Sequence, residues 1–432
     1  MYHDCTTIGG NCFIRYLSYS PLTAPVTAAS TIKRIHLLCL KSMPSFLPER
    51  RSQLEFEFNL EENLVKLYEE LRDRTYKVGR SVCFITGNSV KREVFAAHFR
   101  DRVVHHLLYN YTAPIFERTF IADSYSCRKG MGTLYGVQRF EHHLRACSDN
   151  WKRSCYVLKL DIRGYFMHIV RQKLYDQVMG TLWRYAGRKN SMGRYWADAL
   201  DYSLLEYLMQ EIIFNDPTFD CEMRGTSKDW EGLPYDKSLF HVPEGRGLPI
   251  GNLTSQLFSN VYLNVLDQFV KRTLGERYYG RYVDDFFIVG TDRKRLSQLI
   301  PQLRGFLEKE LELTLHPDKV FLQQVYKGSA FLGIFVKPHR RYLPRKIKSR
   351  ISERMAKMNR HLSDRKVDRN RPLYISCVAN SYMGYMRHMA CHRFKHLLVE
   401  RNASFCKMGD FRGEKLVFVP FIAGRGVMNQ GK

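Results

Sequence analysis

The sequence predicts an α+β fold in which acidic side chains lie at the ends of strands. Residues 278–290 read YYGRYVDDFFIVG, and two apolar, β-prone runs meet at the adjacent acids Asp284 and Asp285. This pattern indicates a β-hairpin with the acids at its tip. A third acid, Asp161, ends the alternating strand YVLKLD at 156–161. Acid-bearing strands among amphipathic helices are typical of an α+β sheet domain.

Composition indicates a folded, strongly basic protein. The chain has 432 residues, of which 44% are hydrophobic and 13% aromatic, so it can bury a core spread over two or three subdomains. Its net charge is +25, and residues 337–432 carry 23 Lys and Arg against 6 Asp and Glu, or +17 of that total. Such an excess favours a polyanionic partner, nucleic acid rather than a membrane surface.

Cysteine spacing and hydropathy exclude several classes of protein. The eleven cysteines show no CxxC pair and no CxxC…HxxxH spacing, which predicts reduced thiols, a cytoplasmic location and no zinc module. No apolar run approaches the ~18 residues of a membrane span. Residues 1–30 lack the pattern of a signal peptide. We therefore expect a partly flexible extension at 1–56, with Met43 as a candidate alternative start.

Amphipathic helices are predicted on both sides of the acid-bearing strands. Residues 57–74 show helical periodicity after an Asn59 cap, with Glu62 three positions later. A second helix starts near residue 99 and is expected to break at Pro114. The remaining predicted elements are a Gly-rich basic turn at 124–132 leading into a helix, a largely helical region at 170–215, a loop insertion at 216–247, an amphipathic helix at 293–311, a strand–turn–strand unit at 321–336 and a basic, mostly helical lobe from Arg340.

The acids are the candidate catalytic groups. Adjacent carboxylates repel each other and resist burial, so a rigid hairpin that presents Asp284 and Asp285 needs a cation. Asp161 lies 123 residues before Asp284 and could converge with the hairpin acids on a pair of metal ions ~4 Å apart, as in two-metal nucleotidyl transfer. An isolated Asp-Asp pair is more often a solvated turn, and Asp161 alone could simply cap the following helix.

Five segments in order resemble the successive sequence blocks of reverse transcriptases. They are LKLDIRGYF at 158–166, GLPIGNLTSQLF at 247–258, YVDD at 282–285, HPDK at 316–319 and FLG at 331–333. The resemblance covers roughly residues 57–336 and places the basic tail in the thumb position. It implies a right-hand polymerase fold, with fingers and an antiparallel palm sheet at 57–336 and a helical, nucleic-acid-binding thumb at 337–432.

Three of these features resemble the reverse transcriptases of bacterial and phage diversity-generating retroelements. The features are GLPIGNLTSQ, FRDRVVHH at 99–106 and SYSCRKGMG at 124–132. Group II intron and retroviral enzymes usually carry Gln-Gly and Ser-Pro where this chain has Ile250-Gly251 and Ser255-Gln256. The aliphatic Ile250 cannot make a polar contact that helps to align the substrate, which predicts weaker selection of correct over incorrect base pairs.

The resemblance also implies roles for individual residues. Asp161 and Asp284, supported by Asp285 and the neighbouring Ile162, would hold two Mg²⁺ ions, with Mn²⁺ able to substitute. Lys319 would protonate the leaving pyrophosphate, although an exposed surface lysine is an equal alternative. The implied dNTP-binding residues are Arg128, Lys129, Phe166, Ile250, Gly251 and Gln256, and the implied primer grip is Phe331, Leu332 and Gly333.

Phe166 has two possible interpretations. It lies five residues past Asp161, where the family places an aromatic ring that excludes a ribose 2′-hydroxyl, but it could also be ordinary core beside Tyr165.

The function implied is RNA-directed DNA synthesis that is error-prone at template adenines. The implied partners are a template RNA, the RNA/cDNA duplex, dNTPs and a small basic accessory variability protein. Three alternatives stay open: a retron or group II intron-type reverse transcriptase, a non-catalytic nucleic-acid-binding protein on the same scaffold, and an RNA-dependent RNA polymerase, which Phe166 disfavours.

Overall fold

The computed structural model describes residues 50–87, 91–363, 371–402, 409–412 and 415–418. These residues form two compact units. The larger unit holds the described residues of 50–139 and 155–323, and the smaller unit holds those of 140–154 and 324–418. Residues 1–49 of the predicted extension, which include Met43, lie outside the described residues.

Helices make up most of the larger unit. They are α1 Arg50–Phe58, α2 Leu60–Arg72, α3 Phe99–Phe116, α4 Thr133–Cys147 (which ends in the smaller unit), α5 Tyr165–His168, α6 Arg171–Ala186, α7 Trp196–Ala199, α8 Tyr202–Ile213, α9 Ser227–Trp230, α10 Leu253–Gln268 and α11 Arg293–Leu311. The predicted helix at 293–311 is confirmed. Asp292 caps it by accepting from the Lys294 backbone N–H at 2.8 Å, and its leucines are buried at intervals of three or four residues.

Two sheets complete the larger unit. The strands are β1 Ser81–Thr86, β2 Arg92–Ala96, β3 Tyr156–Asp161, β4 Cys221–Arg224, β5 Tyr278–Tyr282, β6 Asp285–Gly290 and β7 Phe321–Gln324. One sheet has the order β5-β6-β3-β7 and the other has the order β2-β1-β4. The predicted strand at 156–161 and the predicted hairpin are both confirmed, and so is the α+β class.

The core of the acid-bearing sheet explains its strongly apolar strands. β3 and β6 pair antiparallel, with Val157 opposite Val289 and Leu160 opposite Phe286. These residues are at most 1% exposed. Consecutive buried residues along β6 show that both faces of this sheet are covered, which an alternating pattern would not produce.

Two predicted helix signals are corrected by the structure. The break expected at Pro114 is wrong, because α3 continues through it to Phe116. Ile115 and Phe116 are completely buried, so packing keeps the last turn helical despite the missing proline N–H. Asn59 does occupy the position before α2, but its side chain makes no capping hydrogen bond.

The segment 216–247 was predicted as a loop insertion, yet it contributes regular structure to a sheet. Within it, β4 pairs in parallel with β1, with Ser81 opposite Cys221. The short helix α9 follows and is closed by a capping box between Thr226 and Asp229. A four-residue strand with exposed positions has no alternating apolar pattern, so the sequence carried no strand signal here.

The smaller unit combines short antiparallel strands with helices. Its elements are β8 Ser329–Phe331, β9 Ile334–Lys337, β10 Arg340–Tyr342, α12 Arg345–Ser363, α13 Arg371–Met386, α14 His392–Glu400, β11 Gly409–Arg412 and β12 Lys415–Phe418. The segment 321–336, predicted as strand–turn–strand, instead contains β7, β8 and all but the last residue of β9. Among the described residues, no helix is long and apolar enough to cross a membrane.

Candidate active site

Three acids meet where β3 ends and β6 begins. The antiparallel register places Asp161 opposite Asp285, and the Ile162 backbone N–H donates to the Asp284 carbonyl at 3.2 Å. Tyr282 also pairs with Asp285, so Val283 and Asp284 form a two-residue hairpin turn. The fold thus brings together the three acids that the sequence predicts.

Burial and mutual repulsion govern the electrostatics of this acid cluster. Burial, followed by the nearby charge of Asp161, raises the pKa of Asp284 to about 7. The pKa of Asp285 is also raised, mainly by burial, while Lys159 partly offsets the shift. Ionising all three carboxylates in this partly dry setting is costly, so the site favours positive charge.

A lysine supplies one positive charge. The Lys319 Nζ lies 2.9 Å from the Asp161 Oδ1, and the lysine side chain is 52% exposed. The adjoining segment is fixed to β3, because the His316 backbone N–H donates to the Asp161 carbonyl at 2.8 Å. Lys319 is therefore held beside the acids while it can still reach solvent. Its role as a proton donor stays a prediction.

The acid cluster fits a hard divalent cation only in part. Within the described ranges, no group of three or more His, Cys, Asp or Glu side chains is arranged to hold a metal ion. Asp161 and Asp284 nevertheless offer the oxygen donors that such ions prefer, and the raised pKa of Asp284 shows a local need for positive charge. Ile162 offers only backbone atoms, and its side chain is buried.

A buried ion pair holds the acid-bearing turn from inside. The Arg281 Nε and Nη2 donate to the two carboxylate oxygens of Asp267 in α10 at 2.7 and 2.6 Å, and both side chains are fully buried. Although burial alone would lower the pKa of Arg281, Asp267 raises it above its ordinary value. The remaining Arg281 Nη1 donates to the Val283 carbonyl at 3.0 Å, which fixes one side of the turn.

The other side of the turn is fixed by the segment that precedes α4. The Ser126 Oγ accepts from the Val283 backbone N–H at 3.3 Å, and Asn260 of α10 donates to the Ser126 carbonyl at 2.8 Å. Val283 has a φ of +55°, which is strained for a β-branched residue. Hydrogen bonds on both of its peptide groups explain why this conformation persists. These positioning residues were not predicted, and the only signal was polar residues within apolar elements.

Two predicted nucleotide-binding residues share one apolar cluster. Phe166 and Ile250, both partly buried, pack against a buried group that includes Phe95 and Leu239. The Phe95 backbone N–H donates to the Ile250 carbonyl at 2.8 Å. The structure therefore brings Phe166 and Ile250 together, and it supports a packing role for Phe166 beside any contact with substrate.

The glycine after Ile250 allows a close approach between two backbones. Gly251 has a φ of +131°, and a Cβ there would lie 2.9 Å from the Phe95 carbonyl oxygen. A side chain at this position would push the loop away from β2. The Gln256 side chain, in the first turns of α10, is exposed.

The two basic residues predicted to bind the triphosphate have different surroundings. Arg128 is only 8% exposed and pairs with Glu117 at 2.8 Å. Its Nη1 also donates to the carbonyls of Ile121 and Ser124. These contacts indicate that Arg128 orders the basic turn, and its role in binding the triphosphate stays a prediction. Lys129 is exposed.

The predicted primer grip lies in the smaller unit as a tight hairpin. Leu332 and Gly333 have φ values of +48° and +81°, the positive sign that both central positions of a type I′ turn require. Phe331 is buried against Phe140, with ring centroids 5.1 Å apart. The Tyr385 hydroxyl donates to the Gly333 carbonyl at 3.3 Å. Contact with a primer stays a prediction.

Part of this chain is similar to a known protein family. Residues 207–336 match the reverse transcriptase (RNA-dependent DNA polymerase) family. This segment contains Asp284 and Asp285, whereas Asp161 lies outside it. Protein YkfC of Escherichia coli (strain K12) is 23% identical over 346 residues, which cover 72% of this chain and 78% of YkfC.

Two telomerase structures are also similar to this chain, each at 10% identity. Telomerase from Candida albicans with a TWJ fragment of telomeric RNA has a TM-score of 0.45, covering 78% of this chain and 61% of its own. Apo telomerase from Candida tropicalis has a TM-score of 0.43, with coverages of 76% and 62%. This chain thus spans about six-tenths of the length of those telomerase chains.

The antiparallel acid-bearing sheet and the family match define a right-hand polymerase fold with fingers and palm. Within that class, residues 207–336 are similar to the reverse transcriptase family.

Removing the Asp284 charge should stabilise the metal-free protein in alkaline solution. With a native pKa of about 7, above the ordinary value, native Asp284 keeps a proton that the unfolded chain releases. Stability therefore falls as the pH rises from about 4 to 7, and the loss is complete above that range. We expect Asp284→Asn to exceed the parent by about 4 kcal/mol at about pH 8 and to equal it near pH 4.

Urea unfolding in the presence of a chelator would measure this difference. Asp318→Asn, which alters an exposed carboxylate in the same unit, is the matched control and should follow the parent at both pH values. An Asp284→Asn protein that is less stable than the parent under alkaline conditions would contradict the proposed cost of the buried charge.

Breaking the Arg281–Asp267 pair should be strongly destabilising. Asp267→Ala leaves a buried guanidinium without its partner, which costs about 3–5 kcal/mol of unfolding free energy. Glu211→Ala removes an ion pair with an exposed lysine, Lys77, and should cost less than about 1 kcal/mol. Chemical denaturation of both variants checks the contrast, and equal costs would show that the buried pair is not what holds the hairpin.

Proposed function

We propose that this chain is an RNA-directed DNA polymerase that copies a template RNA into cDNA by nucleotidyl transfer. The observation that carries the proposal is the meeting of Asp161, Asp284 and Asp285 at one end of the β3–β6 pair, two of them inside a reverse transcriptase domain. Burial that raises the pKa of both Asp284 and Asp285 is typical of carboxylates at a functional site.

Asp161 and Asp284 would hold divalent ions, with Asp285 in support, and Mg²⁺ is the ion that suits such oxygen donors. Bound there, the ions supply Lewis-acid activation of a primer 3′-hydroxyl and neutralise phosphate charge. The protein contributes a fixed hairpin turn, which keeps the carboxylates in place before any ion arrives. Lys319 adds a mobile positive charge that can move from Asp161 to phosphate oxygens.

Nucleotide selection falls to the cluster that contains Phe166 and Ile250. Phe166 would exclude the ribose 2′-hydroxyl, while Ile250 would contact the sugar without a polar check. Lys129 would attract the triphosphate, because its ammonium group is exposed whereas Arg128 is engaged with Glu117. We assign the basic segment 337–432, which carries +17 charges, to the thumb that holds the RNA/cDNA duplex.

Within this class, we favour the reverse transcriptase of a diversity-generating retroelement acting in the bacterial cytoplasm. The sequence supports this through Ile250-Gly251 and Ser255-Gln256, and the resemblance adds an accessory variability protein as a partner. A retron or group II intron-type enzyme is the nearest alternative. A pair of near-identical genomic repeats that differ at adenines would separate the two.

Primer extension tests the polymerase proposal. We expect the parent to extend a DNA primer on an RNA template with dNTPs and Mg²⁺. Asp161→Asn and Asp284→Asn should each lower the rate by about 10³-fold or more, because a metal-binding carboxylate contributes several kcal/mol to the transition state. Asp318→Asn should retain the parent rate, since its carboxylate is exposed and outside the acid cluster.

The same reactions separate the alternatives. Errors concentrated opposite template adenines in sequenced cDNA would support the retroelement subfamily, whereas faithful cDNA would remove that claim and keep the polymerase. If the parent fails to extend even with cognate RNA and accessory protein, the non-catalytic binding protein becomes the better explanation.

Truncating Phe166 should relax sugar selection. Phe166→Ala opens space beside the nucleotide, and we expect incorporation of rNTPs relative to dNTPs to rise by roughly 10–100-fold. Phe240→Ala is a useful control, because Phe240 also packs on Phe95, with centroids 5.6 Å apart. Single-nucleotide incorporation kinetics measure the ratio. An unchanged ratio with reduced stability would assign Phe166 to core packing alone.

A further inference from the structure

A basic and aromatic turn follows α6 and takes no part in the acid site. Residues 183–195 contain four Lys and Arg and no Asp or Glu. The aromatic and basic side chains exposed here are Trp183, Arg184, Arg188, Lys189, Arg194 and Tyr195. We call this set, together with Arg118, the α6 turn surface.

The backbone of this turn is fixed by its own hydrogen bonds. The buried Asn190 accepts at Oδ1 from the backbone N–H groups of Met192 and Arg194, at 2.9 and 3.2 Å. Its own N–H donates to the Arg194 carbonyl at 2.8 Å, and Lys189 bridges to Tyr195. The exposed side chains are therefore displayed on a preformed support, which lowers the ordering cost of binding a ligand.

Two aromatic rings of the α6 turn surface remain open to solvent. Trp183 is 53% exposed and Tyr195 is 47% exposed. The Trp183 ring also packs on Tyr202, with centroids 4.8 Å apart, while the Lys189 Nζ lies 5.4 Å from the Tyr195 ring centroid. Half-exposed rings beside cations are the arrangement on which unpaired bases stack while their phosphates are neutralised.

Most of the cations on this surface have no acidic partner among the described residues. Within the residues that the structure describes, Arg118, Arg184, Arg188 and Lys189 form no salt bridge. Arg118 joins them because its Nη1 donates to the Lys189 carbonyl at 3.3 Å. Its guanidinium also lies 5.9 Å from the centroid of the buried Trp196 ring. Clustered cations without counter-charges attract a polyanion.

The α6 turn surface lies at the far end of a helix from the acid strand. α6 begins at Arg171, ten residues after Asp161, and its 16 residues span about 24 Å. A nucleic acid bound to this surface would therefore lie about one length of α6 away from the segment that joins β3 to α6.

We propose that the α6 turn surface binds a single-stranded segment of RNA, with bases stacked on Trp183 and Tyr195 and phosphates held by the surrounding cations. Unpaired strands fit better than duplex, because bases in a duplex already stack on each other. The identity of the nucleic acid as RNA rests on the proposed function. The aromatic and cationic arrangement itself does not.

Fluorescence anisotropy tests the site directly. The full chain is titrated into a labelled, unstructured 20-nucleotide RNA, with excess unlabelled primer–template duplex present to occupy the polymerase cleft. We expect the double variant Trp183→Ala/Tyr195→Ala to bind about tenfold more weakly, from the loss of two stacking contacts. Arg188→Gln/Lys189→Gln should reduce the slope of log affinity against log salt by about 1 to 2.

The control variants alter exposed residues of the same unit that lie outside the α6 turn surface. Phe219→Ala/Tyr235→Ala removes two exposed rings, and Arg304→Gln/Lys309→Gln removes two exposed cations from α11. Both should leave affinity within about twofold. Trp183→Phe should restore most of the binding lost in Trp183→Ala, because a phenyl ring still stacks.

The outcomes separate this proposal from the polymerase proposal. Unchanged affinity in the ring variant, or equal losses in the control variants, would overturn the site whatever the extension assay shows. Ring-dependent binding of poly-glutamate without binding of RNA would identify an acidic protein as the partner and overturn the RNA assignment. If the ring variant does not fold, the charge variant and Trp183→Phe still decide the matter.

Discussion

The buried ion pair between Arg281 and Asp267 is the interaction on which the acid-bearing hairpin depends. Taking both charges out of water costs several kcal/mol each, and the pair recovers this only because its remaining donors and acceptors are satisfied. Arg281 meets that condition through the Val283 carbonyl, and Asp267 through the Tyr279 hydroxyl at 2.6 Å. The pair thus converts a costly burial into a fixed connection between α10 and the turn.

This connection matters because the turn contains two unfavourable features, a strained backbone and closely spaced acids. Val283 holds a positive φ that its branched side chain resists, and Asp284 lies near Asp161 in a setting that raises its pKa to about 7. A flexible hairpin would relieve both by moving the acids apart. Hydrogen bonds from Arg281 and to Ser126 prevent that movement, so repulsion between the acids is retained and can be relieved by a cation.

Local patterns in the sequence were enough to predict the elements that carry the acids. The apolar runs around Asp284 and the alternating strand ending at Asp161 predicted both strands and their α+β context, because strand signals depend on neighbouring residues. The polar support could not be predicted in the same way. Asp267 and Arg281 read as isolated charges in apolar elements, and only the antiparallel register and the packing of α10 reveal that they face each other.

The segment 216–247 is a second case in which long-range polar contacts could not be predicted from the sequence. These contacts connect the segment to the proposed nucleotide-binding cluster. Glu93 of β2 is fully buried and accepts from Trp230 Nε1 at 2.8 Å and from the Leu239 backbone N–H at 2.6 Å. Leu239 then packs in the cluster with Phe166 and Ile250. A buried carboxylate that accepts from Trp230, Ser238 and Leu239 ties their segment to the β2-β1-β4 sheet. Composition alone indicates a loop at 216–247. The Glu93 contacts instead hold this segment against the cluster in which we propose that sugar selection takes place.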